Sequence, residues 1–229
     1  IIEGSKTNGK LCQLPISIYI KGICTDQKFA GASGTGFTFE EYKNFVKGTL
    51  NGKDLITSGQ ALYFAELFNS MDDQFIRDGK VSFTGPEFAE LAEYVRDNVP
   101  ENGTSIDALY ENGIYQYANY MEIQSYLDFY EISKQMRGLS NPTILGTPSL
   151  DGRGPLFTSS CSVAISAQAV NVDACGEFVK ILLSDEIQTG IAMSGMGFVL
   201  NRNAFKTAGE GAITFCNNLD DDSGGSKVK

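Results

Sequence analysis

The sequence predicts an α/β fold. Helical apolar stripes alternate with short apolar strands along the chain, several helix starts carry explicit capping residues, and helices outnumber hairpin signals.

Leu11 to Ile20 reads as the first strand, rich in Leu and Ile and punctuated by Pro15. The glycine-rich stretch Gly31-Ala32-Ser33-Gly34-Thr35-Gly36 follows. It is neither GxGxxG nor GxxxxGK[ST], and no Lys follows to meet a phosphate, so it reads as a mobile surface loop. Thr38-Phe39-Glu40-Glu41 is a capping box that opens a helix to about Leu50, with Phe39, Tyr42, Phe45, Val46 and Leu50 on one stripe.

Residues 58–69 read as a helix and 80–83 as a short strand. Thr84-Gly85-Pro86-Glu87 repeats the capping device, and the helix it opens carries Phe88, Leu91, Ala92 and Val95 inward. A helix over 105–112, a strand over 114–120 and a helix over 122–136 come next, then an extended run at 141–148. Cys161 to Ile165 is a short apolar strand. Asn171 caps a helix whose inward face is Ala174, Phe178, Ile181 and Leu182. Ser184-Asp185-Glu186 opens another, with two carboxylates at its positive end.

A chain of 229 residues can build one large domain or two modest ones. Its apolar share of 42 % and charged share of 20 % are those of a packed chain rather than a disordered one. Eighteen Lys and Arg against 28 Asp and Glu leave a net charge of −10, which repels phosphate backbones and excludes nucleic acid as an expected partner. No apolar run reaches the ~18–20 residues of a membrane span. The chain opens on Ile1 without a basic, apolar leader, and this start reads as an internal cut that a leader could have preceded.

Histidine is absent, which removes Ser-His-Asp and Cys-His catalysis, imidazole proton transfer and His-containing zinc sites. Cys12, Cys24, Cys161, Cys175 and Cys216 form no CxxC pair, against a zinc ribbon or redox motif. Their odd number leaves at least one free thiol. Small buried hydrophobes and one long-range disulfide both remain open. The acidic run Asp220-Asp221-Asp222 lacks the glycine placement and distal Glu of a calcium loop. Glu40/Glu41, Asp72/Asp73 and Asp185/Glu186 are sequence neighbours and point apart on a helix, whereas a glycosidase needs carboxyls ~5–10 Å apart across a cleft. No SxxK or GxSxG occurs. The expectation is no catalytic residue, no metal, no cofactor and no enzyme.

Several segments resemble, in order, the family-1 extracellular solute-binding proteins, which include the maltose- and oligosaccharide-binding type. Asn8-Gly9-Lys10-Leu11-Cys12-Gln13-Leu14-Pro15 is similar to the family's "dGKlYglP" strand. Phe39-Glu40-Glu41-Tyr42 stands where a "tWeEl" helix opens, with Phe39 in the usual place of Trp. Gly152-Arg153-Gly154-Pro155 and Ser162-Val163-Ala164-Ile165-Ser166 resemble the loop and strand that return to the other lobe. The stretch from Asn171 to Ser184 resembles "nkeaAweFikfLls", and Gln188 with Gly197 to Phe205 resembles "G.lPvnk.af", with Val199 departing from the Pro order.

The resemblance implies a type II periplasmic-binding-protein-like fold with one nearly complete lobe plus part of the other. Residues 17–148 would form the second lobe, residues 1–16 and 149–209 part of the first lobe and the hinge crossovers, and 210–229 a polar tail. Because the family carries further N- and C-terminal elements, the chain reads as a fragment. It implies a substrate-capture component of an ABC importer, extracellular and lipid-anchored, that closes over a small solute, a sugar or oligosaccharide, and delivers it to a membrane permease. By position, the ligand contacts would be Tyr19, Gln60, Tyr63, Asn119, Tyr120, Glu122, Ser159 and Ser160. Tyrosine suits a sugar because it offers a ring face and a hydroxyl. The absence of Trp counts against a typical oligosaccharide cleft. A cationic solute such as a polyamine, and a surface structural or interaction module without a small ligand, are the alternatives.

Overall fold

The computed structural model describes residues 6–7, 9–55, 57–77, 79–135 and 138–223. In chain order the strands are β1 (Lys6–Thr7), β2 (Lys10–Leu11), β3 (Leu14–Asp26), β4 (Ile76–Arg77), β5 (Lys80–Val81), β6 (Ala118–Ile123), β7 (Pro142–Leu145), β8 (Leu156–Val163) and β9 (Phe198–Val199). The helices are α1 (Phe39–Thr49), α2 (Gln60–Ser70), α3 (Asp72–Phe75), α4 (Pro86–Asn98), α5 (Ile106–Glu111), α6 (Tyr126–Gln135), α7 (Val172–Leu182), α8 (Asp185–Met193) and α9 (Arg202–Ser223). The chain divides into two units. Unit one holds residues 1–20, 122–132 and 157–229, and unit two holds residues 21–121 and 133–156. The passages at 20–21 and 156–157 fall later than the crossovers expected at 16–17 and 148–149, and the excursion 122–132 was not expected.

In unit two the later half of β3 pairs antiparallel with β7, Ile23 opposite Leu145 and Asp26 opposite Pro142. Helices α1, α2, α4 and α5 supply the core around Tyr42, Leu50, Leu67, Leu91 and Leu109. The α1 start follows the expected box: the Glu41 amide donates to Thr38 Oγ1 at 3.4 Å, and the Thr38 amide donates to Glu41 Oε2 at 2.7 Å. The α4 start does not. Pro86 fixes the first helical position, so Gly85 becomes the N-cap, Glu87 sits one place short of the box position, and no side chain caps the helix. Phe64, Phe68, Phe75, Phe83 and Phe88 pack ring to ring at 5.0–6.4 Å and bind α2, α3 and the turn after β5 to α4.

The glycine-rich loop is pinned rather than mobile. Ser33 Oγ donates to the Gly152 carbonyl (2.5 Å), the Gly146 amide donates to Thr35 O (2.9 Å), and the Ala32 amide donates to Glu41 Oε1 (2.7 Å). A β-carbon at Gly36 or at Gly146 would collide with the Arg153 carbonyl, so these segments meet backbone to backbone. The strand expected over 114–120 is also different. Gly113, at φ 70, turns the chain into a single 3-10 turn over Ile114–Gln116, and β6 starts only at Ala118.

In unit one the earlier half of β3 pairs antiparallel with β9, Ser17 opposite Val199 and Ile18 opposite Phe198. One apolar cluster of this unit joins Ala192, Val199, Ala204 and Ala208, with Tyr126 and Ile191 against it, and Ile16, Ile18, Ile123 and Phe198 are buried as well. The Gln188 amide is fully buried and satisfied. Its nitrogen donates to Ile16 O and Leu182 O, and its oxygen accepts from the Asn201 amide. Residues 210–223 continue α9, contrary to the expected polar tail, because Ala204, Ala208 and Cys216 lie buried four and eight residues apart on one face. Residues 224–229 of that tail lie outside the described residues. The face of α7 expected to turn inward is not covered among the described residues: the helix buries no side chain, and Phe178 and Ile181 are 56 % and 57 % exposed.

Among the described residues all five cysteines are free thiols, and burial pushes the Cys24 thiol up to about 12. No described helix is long and apolar enough to cross a membrane.

A buried carboxylate organises the centre of unit two. Asp54, 7 % exposed, accepts from Tyr42 Oη (2.9 Å) on Oδ1 and from Tyr63 Oη (2.9 Å) and Tyr94 Oη (2.7 Å) on Oδ2. These bonds join α1, α2 and α4. Asp54→Ala strands three buried hydroxyls and is expected to cost roughly 3 kcal/mol or more, read as a lower urea midpoint. Burial, with the Asp54 charge second, raises the Tyr42, Tyr63 and Tyr94 hydroxyls above their ordinary value. A raised folded-state value means stability is whole below the unfolded phenol value of about 10 and is lost as pH climbs through it. Cys24, raised in the same sense from an unfolded thiol value of about 8.5, begins the loss, so urea midpoints measured from pH 7 to 11.5 are expected to hold to about pH 8.5, fall gently, and fall more steeply above about pH 10.

Candidate functional site

The eight residues expected at a ligand fall into both units. In unit two, Tyr63 is 0 % exposed, with its hydroxyl on Asp54. It is a core residue with no face to offer a solute, which corrects its expected role. Its place on an apolar stripe of α2 already pointed to the interior. Gln60 opens α2 and donates from Nε2 to Arg96 O (3.1 Å) and Val99 O (2.8 Å), closing the C-terminal turn of α4. It also borders a shallow hollow of about 530 Å³ with Phe64, Arg96, Glu101 and Asn102.

Asn119 is nearly buried on β6 and donates from Nδ2 to Tyr115 Oη at 2.6 Å. Tyr120 is half-buried against the unit-two core. Spacing alone did not single out the neighbours that complete this edge. Tyr110, 51 % exposed at the end of α5, stacks on Tyr115 with ring centroids 4.2 Å apart and planes at 28°. Burial, with the Tyr110 hydroxyl second, pushes the Tyr115 hydroxyl up to about 12. Tyr117 is exposed, while its carbonyl accepts from Thr25 Oγ1 at 2.7 Å. The legible signal was density: five tyrosines lie between residues 110 and 126.

In unit one, Tyr19 is half-buried on β3 and Glu122 is exposed at the end of β6. The serines of β8 are exposed but engaged. Ser159 Oγ shares a 2.7 Å hydrogen bond with Ser162 Oγ and donates to the Cys161 carbonyl. Ser160 Oγ shares a 2.7 Å hydrogen bond with buried Ser17 Oγ, tying β8 to β3 within this unit. An apolar hollow of about 340 Å³, bordered by Tyr126, Met193, Ala208 and Phe215, includes none of the expected contacts.

Several carboxylates of the adjacent pairs have structural partners. Glu40 pairs with Lys43 at 2.5 Å, Glu41 holds the glycine-rich loop, and Asp73 pairs with Arg153. Asp185 accepts from Asn201 Nδ2 (2.7 Å) and Asn203 Nδ2 (3.1 Å). Among the described residues no three His, Cys, Asp or Glu side chains gather in a way that could hold a metal.

No protein-family model matches the chain, and no curated protein matches it. Solved structures do. A periplasmic solute-binding protein from Pectobacterium atrosepticum covers 100 % of this chain and 64 % of its own length at 15 % identity, with a TM-score of 0.52. A de novo designed cysteine esterase covers 100 % and 64 % at 14 % identity and a TM-score of 0.51. An ABC transporter solute-binding protein from Thermotoga lettingae, bound with α-D-tagatose, covers 91 % and 59 % at 12 % identity and a TM-score of 0.49, too distant to carry an argument. The chain therefore spans 59–64 % of the length of these structures. Such identities show the fold alone. It is the α/β fold of periplasmic solute-binding proteins, in agreement with the type II expectation, and a designed esterase on the same fold shows that fold does not fix chemistry.

Proposed function

We propose that this chain is the solute-capturing part of an extracellular binding protein that serves an ABC importer, and that its cargo is a sugar or oligosaccharide. The observation that carries the reading is the likeness to the Pectobacterium periplasmic solute-binding protein over the whole of this chain. The ordered motifs from Asn8 to Phe205 point the same way and supply the family-1, sugar-binding refinement. Under this reading the parent protein is a cell-surface lipoprotein, hinge closure traps the solute, and a membrane permease receives it.

Tyr19, Asn119, Tyr120 and Glu122 remain contact candidates. Gln60, Ser159 and Ser160 contribute only by giving up or sharing the bonds described above. The net charge of −10 and exposed Glu122 favour a polyamine as the second reading. The uncovered Phe178 and Ile181 favour an interaction module as the third.

A thermal-shift panel of glucose, maltotriose, cellotriose, xylotriose, spermidine and a tripeptide separates these readings. A sugar present at about 100 times its Kd stabilises by about 2.7 kcal/mol, equivalent to a rise of roughly 5–10 °C for a chain of this size. A rise with a sugar alone is expected. A rise with spermidine alone selects the second reading, and a flat panel contradicts solute capture.

A further inference from the structure

The tyrosine edge of unit two has the properties of a recognition surface rather than of packing. A tyrosine half exposed to solvent gains little from burial, yet Tyr110 is held in one orientation by its stack on Tyr115. Both ends of that stack are fixed. On the helix side, Lys53 Nζ donates to Asn112 Oδ1, and Asn112 Nδ2 donates to Ala108 O at 2.7 Å, securing the last turn of α5. Gly113, in the left-handed region, then reverses the chain and lays the 3-10 turn carrying Tyr115 beneath Tyr110. On the strand side, the Asn119 amide nitrogen donates to Tyr115 Oη at 2.6 Å and anchors it.

A pyranose ring presents a C–H face and a fringe of hydroxyls. The first stacks on an aromatic plane, and the second needs planar acceptors and hydroxyls beside that plane. A rigid ring slab that carries its own phenol hydroxyls supplies both at small entropic cost, because the slab is ordered before any solute arrives. We infer that Tyr110, backed by Tyr115 and Asn119, is a stacking platform for a pyranose ring. This inference rests on the sugar-binding reading above and extends it to residues outside the motifs that suggested that reading.

Calorimetric titration of the whole chain with glucose, maltotriose, cellotriose and xylotriose, and with spermidine as contrast, tests it. The comparison uses wild type, Tyr110→Ala, Tyr110→Leu, Tyr110→Phe and the unit-one control Phe178→Ala. For the sugar that wild type binds, Tyr110→Ala and Tyr110→Leu are expected to weaken binding at least tenfold, Tyr110→Phe less than threefold, and Phe178→Ala not at all. The leucine variant keeps apolar bulk on α5, so a folding defect in the alanine variant does not decide the result. Wild-type affinity in both Tyr110→Ala and Tyr110→Leu overturns the platform and leaves the sugar reading standing. Failure of wild type to bind any of the four sugars overturns both, and spermidine binding alone overturns the sugar assignment.

Discussion

The carboxylate of Asp54 sets the architecture of unit two. A charge withdrawn from water costs several kcal/mol unless hydrogen bonds replace its hydration, and three phenols converge to do so. Tyr42, Tyr63 and Tyr94 come from three different helices, so satisfying one anion fixes α1, α2 and α4 against each other. The rings of the same tyrosines fill the core, so packing and charge compensation constrain the same side chains. Two further carboxylates repeat the device with backbone amides as donors. Asp26 accepts the Lys28, Ser140 and Asn141 amides, and its pKa is lowered by those bonds, the Lys28 amide first. Glu41 is lowered likewise by the Ala32 and Thr38 amides.

Unit one is organised differently. Among its described residues the buried polar groups include no carboxylate, and one of its apolar clusters is built on alanines where β9, α8 and α9 meet. Its buried polar groups include Ser17 and Gln188, and the Gln188 amide joins backbone groups from β3, from the end of α7 and from the residue before α9. The apolar side of α7 remains in solvent among the described residues.

Much of this was legible wherever local chemistry decides. The Thr38–Glu41 box, the Asn171 and Ser184 caps and the apolar stripe of α1 act within four residues, and each appears as read. Features set by distant partners were not legible. Asp54 has no motif, because its meaning comes from tyrosines 9 to 40 residues away. The glycine-rich loop looked mobile because its anchors, Gly146 and Gly152, lie more than a hundred residues on. The α9 extension was hidden by Gly209 and Gly211, which interrupt an otherwise regular spacing of small buried residues. Of the expected contacts, Tyr63 was assigned by position where burial decided otherwise. Asn119 and Tyr120 lie on the edge that Tyr110 and Tyr115 complete.

Sugar capture through that edge is tested most directly by hydrogen exchange of the whole chain with and without saturating maltotriose. A solute seated on the platform suppresses local opening of the backbone that carries it. Amides of residues 106–123 are expected to exchange more slowly with the sugar present, while those of α7 stay unchanged. Unaltered exchange across 106–123 at a sugar concentration that saturates the chain would contradict it.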